Sequence, residues 1–258
     1  MKKNERQHRE LSVSDEEAQR IVQAKSRRSF LVGGLAAAGM IGAYEWITRA
    51  APQDEVPWPQ RRVLEFNGQL SERLLSDKHL MPTYSSDKIG GVKPNGNVGL
   101  EKPLDSAPWS LQVTAPGRSR TTLSVADLKQ LPKIEMTTKF CCIEGWSGIA
   151  QWGGARFSDF TKTLFGPGQP VPAYVYMATP DGEYYVGLDM KSALHPQTLL
   201  AYEQDGKPLE ERRGAPLRLA IPVKYGIKNI KRIGLIQYTD KRPADYWAEE
   251  GYDWFAGL

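Results

Sequence analysis

Polar and apolar residues alternate along several short segments of the second half of the chain, a pattern typical of β-strands. The segment IEMTTKF, residues 134–140, has this period of two along its whole length. The other predicted strands are LQVTA (111–115), AYVYMAT (173–179), YYVGL (184–188), LRLAI (217–221) and IGLIQY (233–238). The pattern therefore predicts a body that is rich in strands.

Helical patterns are fewer and shorter. In SVADLKQL, Ser124 and Asp127 have the spacing of a capping box, which predicts a helix start. Phe157, Phe160 and Leu164 recur at helical spacing and predict a second helix with one apolar face. We predict an α+β fold in which residues 52–258 form a single domain.

Residues 52–108 are rich in Pro, Gly, Ser and Asn and contain only short apolar runs. Such a composition predicts long ordered loops packed over the core of the body.

The N-terminal 51 residues follow a different pattern. A polar, charged stretch precedes Arg27 and Arg28, and an apolar run rich in Gly and Ala extends from Leu31 to Ile47. This order is typical of an export signal, and an arginine pair at this position is typical of the twin-arginine route for folded proteins. A chance arginine pair is the alternative interpretation.

The apolar run is shorter than the roughly 20 residues that a spanning helix needs, so we expect it to be weak as a permanent membrane anchor. Small residues before Ala51 offer a cleavage site after Ala50, whereas an uncleaved signal would act as a membrane tether. The predicted location is the periplasm.

The net charge of +4 is carried mostly by this N-terminal region, where nine Lys and Arg face six Asp and Glu. The remainder of the chain is nearly neutral. A nucleic-acid partner requires a concentrated basic surface, so the charge distribution argues against nucleic acid.

Both cysteines of the chain, Cys141 and Cys142, are adjacent at the end of a predicted strand. Adjacent cysteines form only a strained disulfide, and strand geometry points their side chains to opposite faces, with Cys142 on the face of Phe140. Gly145 and Gly148 allow the backbone to turn sharply and to approach a ligand. Cys142 is thus a candidate metal ligand, and an inert buried cysteine is the alternative.

The three histidines are scattered, and no spacing typical of zinc, iron–sulfur or covalent haem sites occurs. One thiolate would hold a metal only if a cofactor supplied the other ligands. A second feature is the basic segment with Lys224, Lys228, Lys231 and Arg232, which would bind a phosphate or form an ordinary solvated face.

Two motifs carry a family resemblance: CIEGWS at 142–147, followed by QW at 151–152, and GAPLRLAIPVKYGIKNIKRI at 214–233. They resemble the sulfite-oxidase-fold molybdopterin oxidoreductases, in particular the exported catalytic subunits of bacterial protein-methionine-sulfoxide reductases. The match runs from about Ala107 to Trp247, and residues 52–108 match only loosely. Arg213 stands where those reductases have Asn, and TYSSDK at 83–88 replaces an Asn-rich segment, so the resemblance implies cofactor binding but not the rim or the substrate preference.

The resemblance implies a role for each matching residue. Cys142 corresponds to the thiolate on molybdenum, and Glu144 to an acidic residue beside the metal. The residues that correspond to cofactor contacts are Thr179, Arg218, Asn229, Ile230 and Lys231. The implied cofactor is molybdenum-molybdopterin in its mononucleotide form, with one molybdenum per chain.

The implied activity is two-electron oxygen-atom transfer, most simply reduction of methionine sulfoxide or related S- or N-oxides in a protein or a small molecule. A membrane haem protein or another quinol-linked donor would supply electrons, and the twin-arginine translocase would export the folded protein. Sulfite oxidation is one alternative, although the chain leaves no room for the dimerisation domain usual in that branch. A cofactor-free exported binding protein is the other.

Overall fold

The computed structural model describes residues 14–103 and 109–258. Met1–Ala51 and Pro52–Leu258 form two separate compact units. The first 13 residues of the predicted signal, and Ala107 at the start of the family resemblance, lie outside the described residues. The assignment of the first unit as an export signal stays a prediction.

The described part of the first unit is one long helix, α1 (Asp15–Thr48). The Ser14 hydroxyl caps it by accepting a hydrogen bond from the Glu17 amide at 3.3 Å. By length and composition α1 is able to cross a membrane, a property that N-terminal signal sequences share. Arg27 and Arg28 lie within this helix and are exposed.

The described part of the second unit, here called the body, contains five α-helices. They are α2 (Trp58–Leu74), α3 (Val125–Leu128), α4 (Phe157–Phe165), α5 (Met190–Ala193) and α6 (Tyr246–Glu249). The predicted capping box is confirmed at α3, where Ser124 and Asp127 each accept a hydrogen bond from the other's amide. The apolar face predicted for α4 is confirmed too, because Phe157 and Phe160 are buried in the core.

Twelve short strands complete the described body. They are β1 (Pro52–Gln53), β2 (Val56–Pro57), β3 (Leu111–Thr114), β4 (Thr121–Leu123), β5 (Lys133–Cys141), β6 (Ser147–Arg156), β7 (Tyr174–Ala178), β8 (Tyr185–Asp189), β9 (Leu199–Gln204), β10 (Lys207–Pro208), β11 (Arg218–Ala220) and β12 (Leu235–Thr239). Each of the six predicted strands is present, with ends that differ by a few residues.

The strands form two larger sheets besides the small β1–β2 hairpin. One sheet has the order β10-β9-β6-β5, and β11 also pairs with β9. The other has the order β4-β3-β12-β7-β8, in which only the β3–β12 pair is parallel. Both sheets contribute to the main core, for example through Leu200 of β9 and Ile236 of β12. The prediction of a strand-rich α+β body is confirmed.

The prediction of loops throughout residues 52–108 is wrong for α2. Most of the apolar side chains of this helix are exposed and do not pack on the body, so the usual signal of a core-facing stripe is missing. Its buried residues are instead Arg61 and Gly68. Strands β6 and β9 were also not predicted. Glycine weakens strand propensity in β6, yet Gly154 fits because its missing Cβ would lie 2.1 Å from the Leu200 carbonyl oxygen of β9.

Candidate functional site

Cys142 lies in the turn between the two longest strands of the first sheet. β5 ends at Cys141, and β6 begins at Ser147, which pairs with it. The Cys142 amide donates to the Trp146 carbonyl at 2.9 Å, and the Gly145 amide donates back to the Cys142 carbonyl at 3.1 Å. Gly145 has φ +87°, the left-handed region that favours glycine. The hairpin turn therefore holds Cys142 in a defined position.

An open cleft with about 940 Å³ of empty space lies beside this turn. Phe140 and Cys142 line the cleft, whereas Cys141 does not. Cys142 is buried and Cys141 is partly exposed. The two adjacent cysteines thus have different surroundings, and only Cys142 is available to a ligand in the cleft.

Four stretches of the body contribute most of the lining. They are 92–98, the β5–β6 turn at 140–146, 212–218 and 226–231, with Tyr184, Trp247 and Tyr252 completing the wall. Of the predicted site residues, the cleft brings together Cys142, Glu144, Arg218, Asn229 and Lys231.

Around Cys142, two side chains form polar contacts. The Asn95 amide nitrogen lies 3.8 Å from the Cys142 sulfur, within reach of a weak hydrogen bond. The indole nitrogen of Trp146 donates to Glu144 at 3.0 Å. Hydrogen bonds from Asn95 and Trp146, with the nearby charge of Lys93, lower the pKa of Glu144. This carboxylate is therefore ionised at neutral pH.

Another part of the cleft wall is basic. Arg213, Arg218 and Lys231 line it, and none of the three has a carboxylate within 4 Å among the residues that the structure describes. Burial, and then the positive charges of Arg218 and Arg213, together lower the pKa of Lys231 to about 8. A cluster of cations without an acidic partner favours binding of an anion at this wall.

Arg218 is held more firmly than its neighbours. Its guanidinium stacks 4.5 Å from the Trp152 ring centroid and donates to the carbonyls of Arg213 at 2.9 Å and Asn229 at 3.2 Å. Burial, and then the charge of Arg213, lower its pKa, although a guanidinium stays protonated at neutral pH. Arg218 therefore contributes both a fixed charge and local structure.

Asn229 and Lys231, which line the cleft, organise the backbone around it. The Asn229 side-chain oxygen accepts from the Ile221 amide at 2.9 Å. The Lys231 ammonium donates to the carbonyl of Gly96 at 3.0 Å and to that of Asn95. Lys231 thus ties the 226–231 stretch to the loop that carries Asn95.

Two predicted cofactor residues do not line the cleft. The Thr179 hydroxyl donates to Asp181 at 2.6 Å, and Thr179 packs against Gly99. The Ile230 side chain is fully buried in the core, and its carbonyl accepts from the Leu219 amide at 2.9 Å. Contacts of these two residues with a cofactor stay predictions.

The basic segment is not one patch, which corrects the sequence-based interpretation. Lys224 is buried 3.6 Å from Asp189, and Lys228 is buried against Asp245. Only Lys231 of these lysines lines the cleft. The spacing of charges along the chain gave no sign of which lysines would find acidic partners inside the body.

Gly148 also has a role other than the predicted approach to a ligand. A Cβ on Gly148 would lie 2.3 Å from the Val92 amide nitrogen and 2.4 Å from the Gly91 carbonyl carbon. The missing side chain thus makes room for backbone, which pairs with β6 through a bridge between Gly90 and Ile149. This contact positions the 92–98 loop over the cleft.

Sequence reasoning missed three lining residues near the thiol and the cations: Lys93, Asn95 and Arg212. Lys93 and Asn95 lie in a loop without periodic pattern. The Asn-Gly pair at 95–96 is a turn signal, and it gives no indication of contact with Cys142.

Comparisons with known proteins found a matching family model and a solved structure with partial similarity. Residues 98–247 match the family model described as oxidoreductase molybdopterin binding domain. A solved structure, the sulfane dehydrogenase SoxCD from Paracoccus pantotrophus, aligns with 52% of this chain and 39% of its own chain, at 16% identity and a TM-score of 0.46.

Curated relatives are more similar in sequence. The chain is 31% identical, over 92% of its length and 89% of the relative's, to a putative protein-methionine-sulfoxide reductase subunit YedZ1 from Azospira oryzae. It is 31% identical to the protein-methionine-sulfoxide reductase catalytic subunit MsrP of Campylobacter jejuni, over 71% of this chain and 68% of that protein. The corresponding subunit of Xanthomonas campestris is 35% identical over 57% of this chain and 49% of that protein. The resemblance inferred from the two motifs is confirmed, and the chain belongs to the molybdopterin-binding oxidoreductase family that includes these reductase subunits.

Proposed function

We propose that the protein is the catalytic subunit of a methionine-sulfoxide reductase that works by two-electron oxygen-atom transfer. The observation that carries the proposal is the pairing, in one cleft, of a buried thiol at Cys142 with the unpaired cations Arg213, Arg218 and Lys231. The relatives named as protein-methionine-sulfoxide reductase subunits support the choice of substrate.

The residues of the cleft fit a molybdenum-pterin cofactor. Within the described residues, no group of three or more His, Cys, Asp and Glu is arranged to hold a metal ion. Among the described residues, Cys142 is the one thiol that lines the cleft, which suits a metal whose other ligands come from a dithiolene. The cations Arg218 and Lys231 suit the terminal phosphate of the mononucleotide form, with one molybdenum per chain.

The bound cofactor would supply the two-electron redox chemistry at the sulfoxide oxygen. The chain's own residues position the groups around it. Cys142 provides the thiolate, and the Asn95 amide donates to its sulfur and to the Glu144 carboxylate. Because the lowered pKa keeps Glu144 ionised, its role is to accept a hydrogen bond or a proton from water or a protonated group at the cleft mouth.

Access to the cleft suits a substrate side chain carried by another protein. Ile143 and Tyr252 are 38% and 37% exposed and line the cleft beside Trp146. Apolar and aromatic surfaces of this kind pack against the methylene and methyl groups of an oxidised methionine, which is a polar and exposed lesion.

Electrons would come from outside the chain, from a membrane haem protein or another quinol-linked donor. The relatives are named as subunits of a reductase, which supports a second protein that works with the catalytic chain. The arginine pair before the apolar part of α1 supports export to the periplasm through the twin-arginine translocase, with α1 as a tether if it is not cleaved.

The decisive experiment compares two substrates. With a chemical reductant, the protein should reduce methionine sulfoxide, free and in peptides, much faster than it oxidises sulfite with an artificial electron acceptor. Brisk sulfite oxidation beside negligible sulfoxide reduction would favour the sulfite-oxidase alternative. Metal and pterin analysis of the same preparation tests the cofactor, because a protein without molybdenum and pterin would be a cofactor-free binding protein.

A further inference from the structure

Helix α2 carries a stripe of exposed apolar residues that the proposed function does not use. The α2 stripe consists of Val63, Phe66, Leu70 and Leu74, which are 57%, 64%, 46% and 70% exposed. Steps of three and four residues place all four on one side of the helix. A contiguous apolar surface of this kind on a folded protein marks an interaction site.

The opposite side of α2 fixes the direction in which the stripe faces. Arg61 is 4% exposed and donates to the carbonyls of Ala248 at 2.8 Å and Tyr252 at 2.9 Å. Gly68 packs so closely that an added Cβ would lie 3.3 Å from the Phe255 Cβ. Rolling the helix to bury the stripe would break these hydrogen bonds of the buried Arg61 side chain, so the stripe is held outward.

The surroundings of the stripe fit a lipid surface. Trp58, at the first turn of α2, is 42% exposed. Helical geometry places the exposed Arg62 and Arg73 along one flank of the stripe, where Arg62 also pairs with Glu65 at 3.0 Å. Tryptophan and arginine at the edges of an apolar helix face are typical of helices in the membrane interface, where headgroups are polar and partly anionic.

The chain also brings α2 near a membrane. Helix α1 is able to span a bilayer and ends at Thr48, while α2 begins at Trp58. The intervening residues, 49–57, reach at most about 30 Å when fully extended. With α1 in a membrane, the start of α2 at Trp58 stays within about that distance of the point where α1 leaves the bilayer.

We propose that the α2 stripe binds the lipid surface of that membrane, with α2 lying in the plane of the interface. The occupant is lipid rather than a second copy of the chain or a protein partner. This docking would fix the body against the bilayer. The inference uses no residue of the cleft, and it rests on the part of the proposed function in which α1 is retained as a membrane tether.

The test uses the full chain in vesicles of phosphatidylethanolamine and phosphatidylglycerol. A diazirine-bearing amino acid replaces Leu70 in the stripe or, as the control, Gln69, which is exposed outside the stripe. After illumination, mass spectrometry should find lipid adducts severalfold more often at position 70 than at position 69. Both labelled proteins carry the same α1, so a difference in lipid adducts between positions 69 and 70 measures the contact of α2 with lipid.

Further substitutions in the chain that carries the diazirine at position 70 test whether the other residues of the stripe contribute to lipid contact. Phe66→Ser with Leu74→Ser should lower the lipid adducts severalfold, whereas Gln60→Ser with Asn67→Ser should leave them unchanged. All four positions are exposed, so circular dichroism should remain the same. Adducts with a second copy of the chain in place of lipid, or equal labelling at positions 69 and 70, would overturn the proposal.

Discussion

Of the two adjacent cysteines, only Cys142 lies where it could bind a metal in the cleft. Cys142 lines the cleft from the β5–β6 turn, and Cys141 ends β5 outside the cleft. A soft thiolate is the ligand that the proposed cofactor requires from the protein.

Substitution should separate the two cysteines. Cys142→Ser is expected to abolish sulfoxide reduction with a chemical reductant and to lower molybdenum content, because a serine hydroxyl is a poor replacement for the thiolate. Cys141→Ser, the matched control, should retain turnover, since only packing changes. Metal analysis and steady-state rates on both variants test this, and equal loss of activity with intact folding would contradict it.

Lys231 is the cleanest residue for testing the phosphate contact. Arg218 is buried and supports the backbone around it, whereas Lys231 is partly exposed, although its ammonium also donates to the carbonyls of Asn95 and Gly96. Loss of one charge-assisted hydrogen bond costs about 1.5–3 kcal/mol. Lys231→Ala should therefore lower the pterin content of the purified protein. Lys139→Ala, an exposed lysine of β5, is the control and should keep full content.

The pKa of Lys231 adds a pH dependence to the same contact. In the apoprotein this pKa is lowered to about 8, so the ammonium loses its proton as the pH rises through about 8. Binding of a phosphate ester to the apoprotein should weaken over that range, because the neutral amine attracts the phosphate less. Lys231→Arg should remove the weakening between about pH 7 and 9, since guanidinium stays protonated. Identical pH profiles for the two proteins would show that Lys231 does not contact the phosphate.

At the scale of elements, the cleft depends on how a loop docks against a strand. Strand β6 leaves space at Gly148 for the backbone of Gly91 and Val92, and the loop that follows carries Lys93 and Asn95. The hairpin thus positions Cys142 directly and Asn95 indirectly.

A single methyl group should disturb this docking. Gly148→Ala places a Cβ into backbone, and overpacking of this kind costs about 1–3 kcal/mol. We expect a lower melting temperature and less retained cofactor. Gly153→Ala in the same strand is the control, because its Cβ would meet only the side chains of Glu203 and Lys133, at 3.1 to 3.3 Å. A Gly148→Ala protein as stable as the control would contradict the argument.

At the scale of the whole molecule, the predicted export signal and the cleft lie in different parts of the chain. Arg27 and Arg28 are exposed on α1, and the body that contains the cleft begins at Pro52. Changes to the arginine pair should therefore leave the cleft intact.

Replacing both arginines by lysines tests the export route. The twin-arginine receptor reads guanidinium groups, so Arg27→Lys with Arg28→Lys should leave active, cofactor-loaded protein in the cytoplasm. Activity assays on cytoplasmic and periplasmic fractions measure this directly. Undiminished periplasmic activity in the double variant would rule out the twin-arginine route.

The sequence by itself determined what depends on local order along the chain. Alternation predicted six strands, the Ser124–Asp127 spacing predicted the start of α3, and two motifs identified the family through Cys142. These features can be predicted without the tertiary structure because each depends only on periodicity or on residue order within a short segment.

Only the tertiary structure decided which charges and glycines serve the cleft. Lys224 and Lys228 are neutralised by Asp189 and Asp245, which lie far away in sequence, whereas Lys231 faces the cleft without a carboxylate partner among the described residues. Helix α2 likewise faces its apolar side outward because buried hydrogen bonds of Arg61 hold its other side. Burial and charge pairing are set by contacts between distant segments, so the linear pattern does not contain them.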